Sequence, residues 1–439
     1  MFKKLLLLSA IGISSIAFSQ SQERQKLMDY LDSLNVHHKV MGSFAFAYKD
    51  EPTFLKVTGF SDADKQQKAN INTQYRIGSI SKTFTAVLIM KAIEDKKLSL
   101  TTKLSDFYPE IEKANKISIE QLLQHRTGIH NLTDDEEYFT YNTQPQTENS
   151  LISIIKKYKS DFNPGIKYEY SNSNYILLGY ILEKVYKKSY AQLIQDKIAK
   201  PLKLTLTKVG GKINPAENQA LSYNYEGDKY VAWQETDMSV PIGAGNIIST
   251  PTELLKFIIG LENGKLITKA SLKEMKNYVD NYGFGLTKVP FGGSWGFGHN
   301  GGIDQFRSVL YYFPDLKVAI SFVTNQSNYN NNDISIKMLQ TATGQNFEMP
   351  EFKDVAVSTE VLKKYEGNYK TKDFPLDIKI FIENGELKGQ ATGQGAFPLE
   401  AVSENEFKFD MAGIKMKFNA EKGTMDFAQE ANKFTFKKE

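Results

Sequence analysis

The sequence predicts a mixed α/β (α+β) fold, an antiparallel sheet combined with helices, followed by a small all-β antiparallel domain. Three observations predict it. β-like runs occur at 43–48 and 52–59 and return at 308–313 and 318–324. Between them, from 119 to about 256, the pattern is mainly helical. Beyond Tyr365-Glu366-Gly367-Asn368-Tyr369 the chain turns into short alternating strands. Strands, a long helical middle and strands again make one α/β unit with an antiparallel sheet.

In chain order, the first segment reads as a secretory signal over 1–19. Lys3 and Lys4 precede a short apolar stretch at 5–18, and Ala17-Phe18-Ser19 offers a small-x-small cleavage site before Gln20. The stretch is shorter than the ~20 residues a spanning helix needs, and Ser9, Gly12, Ser14 and Ser15 interrupt it. No later segment is apolar enough to span. The expectation is an exported protein, periplasmic or secreted, with no membrane span after cleavage. The chain has no cysteine, so it has neither a disulfide nor a thiol nucleophile.

A short helix is expected at 25–34, then a hairpin of the runs 43–48 and 52–59 about the polar turn Lys49-Asp50-Glu51. Residues 81–93 read as a helix without a clear polar face, which places it at the domain centre. Further helices are expected at 119–124, 151–158, 175–186, 190–198 and 252–259, punctuated by Pro164-Gly165, Pro201 and Pro251. Composition shifts near 328–333 and 341–350 divide a domain at 20–345 from one at 355–439. Strands at 376–382, 386–392, 406–410, 414–419 and 433–437, with Asn384-Gly385 as a hairpin turn, fill the second domain.

Net charge is +3, from 54 basic and 51 acidic side chains. So even a balance, with the cations dispersed, gives no electrostatic case for nucleic acid.

The chemistry centres on Ser79-Ile80-Ser81-Lys82. A serine hydroxyl is a weak nucleophile until a base takes its proton. At helical spacing Lys82 shares a face with Ser79, and burial of that first turn lowers a lysine pKa toward a neutral base. Ser79 at a helix start also aims its own N–H at a developing oxyanion. Spacing alone is weak, since Ser153-Ile154-Ile155-Lys156 repeats it on an amphipathic helix with no glycine before it. Ser153 is read as ordinary helix surface. Tyr170-Ser171-Asn172 supplies a phenol and a carboxamide, although Tyr329-Asn330-Asn331 has the same form. Gly298-His299-Asn300-Gly301-Gly302 precedes an expected strand and lets backbone approach a substrate closely.

Ser79-x-x-Lys82, Tyr170-x-Asn172 and His299-x-Gly301, in that order, resemble the penicillin-binding protein and class C β-lactamase superfamily of serine hydrolases. Similar supporting segments are Tyr75-Arg76-Ile77-Gly78, Ile119-x-x-Leu122-Leu123-x-His125-x-Thr127-Gly128, Pro164-Gly165, Leu177-Leu178-Gly179, Gly243-Ala244-Gly245 and Tyr282-Gly283-Phe284-Gly285. The resemblance spans about 23–325. It implies an antiparallel sheet of five to nine strands beside an all-helical lobe, with the cleft between them. It further implies Ser79 as nucleophile, Lys82 as its proton partner, Tyr170 in acid/base work and Asn172 on the substrate amide. The N–H groups of Ser79 and Gly302 would form the oxyanion hole, with His299 and Gly301 beside the substrate. The C-terminal strands resemble a lipocalin-like barrel that relatives carry.

His299-Asn300-Gly301 departs from the Lys-Thr-Gly of relatives that bind a free carboxylate. A histidine is only partly charged near neutral pH, and Arg307 is a candidate replacement. The expected substrate is a small molecule or peptide: a peptidoglycan-type peptide, a β-lactam or an ester. The leading expectation is a D-alanyl-D-alanine carboxypeptidase-like peptidase. A β-lactamase, a carboxylesterase and a non-catalytic binding protein follow.

Gly292-Gly293-Ser294-Trp295-Gly296 matches a nucleophile elbow in letters, but no acid and then histidine follow in the required order. His37, His38, His125, His130 and His299 show no zinc spacing, so neither metal nor cofactor is expected. His125 is read as a buried residue bracing the cleft. Asp134-Asp135-Glu136-Glu137 reads as a solvated loop, and Tyr138, Phe139 and Tyr141 as cleft-lining candidates.

Overall fold

Alternating bulk along the first strand explains why the sheet can be covered on both faces. Strand β1 (Val40–Tyr48) is buried from Val40 to Ala47. Phe44 and Phe46 point to one side, where Phe44 stacks on Phe322 and Phe46 on Phe54. Ala45 and Ala47 point to the other and join the main core, where small side chains let helices approach closely. The computed structural model describes residues 21–439 except Gly227, Lys353, Asp354, Glu430 and Ala431. The expected signal at 1–19 therefore lies outside the described residues.

Helix α1 (21–36) precedes β1 and runs several residues beyond the expected 25–34. It buries Leu27, Tyr30, Leu31 and Leu34, the i, i+3, i+4, i+7 stripe of an amphipathic helix. The hairpin to β2 (Glu51–Thr58) is tighter than expected. Lys49 and Asp50 alone make the turn, at φ 54° and 64°, the conformation of a two-residue turn that follows strand twist.

Helix α2 (Ser81–Glu94) buries all but three of its residues. Its missing polar face has a local reason. Thr83 Oγ1 donates to the Gly285 carbonyl at 2.7 Å and Thr85 Oγ1 to that of Gly243 at 2.6 Å. Ser81 Oγ accepts from the Ile247 N–H at 3.1 Å. The polar side chains thus satisfy loop backbone inside the protein instead of facing water. Helices α3 (Glu148–Lys157), α4 (Asn172–Tyr186) and α5 (Pro251–Glu262) follow. The expected helix at 190–198 starts as a five-residue α segment, Tyr190–Ile194, and continues as a π turn over Gln195–Ala199.

Strands β3 (Thr287–Phe291), β4 (Ser294–Ile303), β5 (Phe306–Phe313) and β6 (Val318–Ser327) complete a six-stranded sheet in the order β3-β4-β5-β6-β1-β2, antiparallel throughout. Sequence pattern misses β3 and β4. The run from Gly298 to Gly302 precedes strand β5 as expected but is itself part of strand β4, because cross-strand hydrogen bonding to β5 holds these residues extended despite four of the five being glycine or asparagine.

Two compact units result. One takes residues up to Ser327 with Ser335–Phe347, the other Asn328–Ile334 with Glu348–Glu439. The second holds nine short antiparallel strands. Its two terminal strands, Phe397–Pro398 and Glu400–Ala401, are consecutive in the chain and separated only by Leu399, so the sheet is nearly closed. Alternation is clear in Ile414–Asn419, whose burial switches at every residue. Tyr365, Tyr369, Met416, Phe418, Phe427 and Phe436 are among its core residues. The Asn384-Gly385 turn forms as expected, with both φ angles positive. Strands Gly367–Lys370 and Thr424–Gln429 escaped the sequence pattern because each is mostly polar or small.

Candidate active site

Ser79 lies in a single 3₁₀ turn, Gly78–Ile80, that leads directly into α2. It is half-buried, while every other residue from Thr73 to Met90 is buried. Gly78 sets this turn at φ 50°, and a Cβ there would meet the Gly302 nitrogen at 2.8 Å. Only glycine lets the turn sit against β4 so closely. Ser308 Oγ donates to the Ile77 carbonyl at 2.7 Å and fastens β5 to the same segment.

Lys82 Nζ is 3.0 Å from Ser79 Oγ, 2.7 Å from Asn172 Oδ1 and 2.9 Å from the Ala244 carbonyl. Its side chain is fully buried, and none of these partners is a carboxylate. Burial therefore pushes its pKa well below the ordinary lysine value. Tyr170 O–H donates to Ser79 Oγ at 2.8 Å. Burial raises the tyrosine pKa, partly offset by that hydrogen bond, so the phenol keeps its proton.

Asn172 opens α4, and its position is set by residues that the motifs did not flag. Asn131 Oδ1 accepts from the Asn172 N–H at 2.9 Å, and Asn172 Nδ2 donates to Thr133 Oγ1 at 3.0 Å. With its amide nitrogen committed, the Asn172 oxygen faces Lys82. Asn131 and Thr133 follow Thr127-Gly128 closely, which is the only local signal for them.

Ser79, Asn172 and Gly302 line one cavity of about 430 Å³ with Arg307. Leu132, Tyr138, Phe139, Ile176 and Trp233 give it an apolar wall. Phe139 and Trp233 are 71% and 45% exposed, unusual for rings of that size. Tyr141 is not among the lining residues. Gly301 packs behind the nucleophile: a Cβ on it would lie 2.9 Å from the Ser79 nitrogen and 2.2 Å from the Ile77 carbonyl. Arg307 is the cross-strand partner of Gly302, and its Nη1 donates to the carbonyls of Asp304 and Phe306. The Asp304 carboxylate is occupied by Arg76 at 2.7 Å and by Thr236.

His299 does not line this cavity. It is buried, with its ring against Tyr282, and burial together with the Lys82 charge holds its pKa down to about 4. Facing inward, it offers no fixed cation to a substrate. His125 is also buried behind the site. Ser153 is exposed on α3, and Ser294 begins β4 well along the strand from Gly302. Neither joins the cluster. His130 binds Asp135 at 3.0 Å and Asp161 at 3.1 Å, so Asp135 serves an ion pair in the loop.

Residues 29–345 match the family model described as Beta-lactamase. The teichoic acid D-alanine hydrolase of Staphylococcus aureus (strain MRSA252) is 27% identical over 302 residues, 67% of this chain and 72% of that protein. Among solved structures, the D-amino acid amidase from Ochrobactrum anthropi SV3 complexed with D-phenylalanine aligns with a TM-score of 0.66 at 22% identity, over 73% of this chain and 98% of that one. The octameric penicillin-binding protein homologue from Pyrococcus abyssi aligns with a TM-score of 0.67 at 22% identity, over 94% of this chain and 99% of that one. At such identities the two structures speak for the fold.

Proposed function

The chain belongs to the β-lactamase family and is a serine hydrolase of that superfamily; from this premise we propose that it forms an acyl-enzyme on Ser79 and hydrolyses D-alanyl or related D-aminoacyl esters and amides. One observation carries the reading: a fully buried lysine, with no carboxylate among its hydrogen-bond partners, stands 3.0 Å from a half-exposed serine.

The hydrogen bonds around Lys82 support its role. A neutral amine has two N–H groups and one lone pair. Asn172 Oδ1 and the Ala244 carbonyl can only accept, so they take the two N–H groups. The lone pair then falls to Ser79 O–H. Lys82 takes that proton as Oγ attacks the substrate carbonyl, and a C–O bond forms. The N–H groups of Ser79 and Gly302 stabilise the oxyanion. Tyr170, still protonated, gives its proton to the departing oxygen or nitrogen, and the proton on Lys82 replaces it. Water then attacks the acyl-serine by the reverse route and releases the D-amino acid.

The D-aminoacyl class is supported by the name of the curated relative, a teichoic acid D-alanine hydrolase. The inward-facing His299 favours it over a carboxypeptidase, which needs a cation for the terminal carboxylate of its substrate. Arg307 favours that second reading, a D-alanyl-D-alanine carboxypeptidase, because it lines the cavity and makes no ion pair among the described residues. Export by the segment 1–19 would bring the enzyme to such substrates, and no helix among the described residues is long and apolar enough to cross a membrane.

The test is intact-mass analysis with a fluorescent penicillin, alongside release of alanine from D- and L-alanyl p-nitroanilide and from an N-acylated D-alanyl-D-alanine peptide. We expect a single adduct absent in Ser79→Ala and turnover of the D-alanyl anilide ahead of the L-form. Faster release from the peptide would favour the carboxypeptidase. Acylation of Ser79→Ala equal to wild type would refute the nucleophile.

A further inference from the structure

His125, Tyr282 and His299 are all buried behind the cavity, and the reaction above uses none of them. Their hydrogen bonds nevertheless admit a single direction. At one end, the Ser171 backbone N–H lies 3.1 Å from His125 Nδ1, and a backbone N–H can only donate. The Asn174 amide nitrogen faces the same atom at 3.4 Å, its orientation set by Thr127 Oγ1 donating to Asn174 Oδ1 at 2.7 Å. His125 Nδ1 is therefore bare, and its proton sits on Nε2, which faces the Tyr282 hydroxyl at 3.2 Å. At the other end, His299 Nδ1 faces the Asn300 carbonyl, which can only accept. His299 thus carries its proton on Nδ1, leaving Nε2 bare at 3.0 Å from the same Tyr282 hydroxyl.

The two ends, fixed independently by backbone groups, agree in the middle. Tyr282 accepts from His125 and donates its one proton to His299. Charging His299 would turn a second N–H onto the tyrosine oxygen and send the tyrosine proton out of the chain to the neighbouring Tyr175 hydroxyl, whose own proton goes to the Leu123 carbonyl at 2.8 Å. Moving the His125 proton to Nδ1 would set it against the Ser171 N–H. The second change strands a buried donor, which is costly, and the first costs the chain its Tyr282–His299 hydrogen bond.

We propose that His125, Tyr282 and His299 form a directed, charge-neutral hydrogen-bond chain from the Ser171 N–H to the Asn300 carbonyl, whose task is to hold Tyr170 and the Gly301-Gly302 edge of β4 in register around Ser79. This rests on the reading of Tyr170 and Gly302 given above. The chain ends one residue from each of them: Ser171 follows Tyr170, and Asn300 precedes Gly301. His125 grips the Tyr170 segment twice, because its carbonyl also accepts from the Glu169 N–H at 2.9 Å. Its ring packs on that of Tyr170, with centroids 4.3 Å apart. His125 holds this place at φ 56°, a backbone conformation that glycine would adopt more cheaply. Tyr168, Tyr170 and Tyr175 surround the chain. Burial keeps both imidazoles neutral, and a proton on Lys82, when it carries one, acts in the same direction. No hydrogen bond links the chain to the Tyr170 hydroxyl, so these are positioning residues and not a proton path.

The experiment is ¹⁵N NMR of histidine-labelled full-length protein, the two signals assigned with His125→Gln and His299→Gln. His125 is expected as the Nε2–H tautomer and His299 as the Nδ1–H tautomer, neither titrating between about pH 5 and 8. With p-nitrophenyl acetate, Tyr282→Phe is expected to lose roughly 10- to 100-fold in kcat at little change in KM, the size of effect that misplacement of a site produces. His299→Gln, whose amide oxygen can accept from Tyr282, should retain more kcat than His299→Leu. The opposite tautomer at either histidine, an unchanged kcat in Tyr282→Phe, or equal losses in the Gln and Leu variants would overturn the proposal. A wild-type enzyme silent on the ester would count against the Ser79 reading, while the tautomers would still decide this one.

Discussion

In the proposed reaction Lys82 serves as the base because of what surrounds it, since an exposed lysine would hold its proton across the physiological range. Burial without a carboxylate lowers its pKa, whereas burial raises that of Tyr170. The two groups that share Ser79 Oγ are thereby driven apart into a neutral base and a protonated acid. The sign for pH follows. Activity needs neutral Lys82, so kcat/KM for p-nitrophenyl acetate is expected to be lost as pH falls through the Lys82 pKa. His299, held down to about 4, adds no second step above about pH 5. Lys82→Arg, which keeps its proton at any accessible pH, is expected to lose on the order of 10²- to 10⁴-fold in kcat at every pH. A profile with two ionisations, or an active arginine variant, would remove Lys82 from this role. Ser79 and Lys82 were legible in the sequence because their spacing is local. Ala244 was legible only as part of a resembling segment and not as a Lys82 partner, and Asn131 and Thr133, which hold Asn172 against Lys82, were not legible, because each acts across a fold contact.

Among the elements, the decisive contact joins the Ser79 turn to strand β4. A Cβ on Gly301 would lie 2.2 Å from the Ile77 carbonyl and 2.5 Å from Ser308 Oγ, and backbone cannot yield as a side chain can. Gly301→Ala is expected to fold, push β4 away from Ser79 and slow penicillin acylation on the order of 100-fold, measured as adduct formation with time. An unaltered rate would mean that β4 does not shape the oxyanion site. The sequence pattern correctly puts this glycine-rich run ahead of β5 but does not mark the run as a strand in its own right, since its residues have low β-propensity. Pairing with β5 overrides that preference: Gly301 is opposite Ser308 and Gly302 opposite Arg307. Helix α2 was the easier reading. Its unbroken apolar run could only belong to the interior.

At the scale of the whole molecule, each unit carries its own core, one built on Phe84, Leu88, Leu177 and Phe257, the other on Tyr369, Met416, Phe418 and Phe436. The described residues from 345 to 358 form neither helix nor strand, and such segments are where proteases enter. Limited proteolysis is expected to cut first in this stretch, and a chain ending at Phe347 to keep ester turnover within about threefold of the whole protein, as separate cores allow. Complete loss of turnover in a folded, truncated chain would make the C-terminal unit part of the active enzyme.

By itself the sequence determined the architecture of strands, helical middle and strands, the C-terminal β unit, and the choice of Ser79, Lys82, Tyr170 and Asn172 as the candidate set that the structure brings together. These are readable because periodicity and short spacing are properties of the chain. Only the tertiary structure decided that His299 turns inward to Tyr282 rather than to the cavity, and that Arg307 lines the cavity together with Ser79. On a strand, neighbouring side chains point to opposite faces, so which face His299 takes depends on the register of β4 against β5. Register is set by pairing between distant parts of the chain, and no local pattern records it.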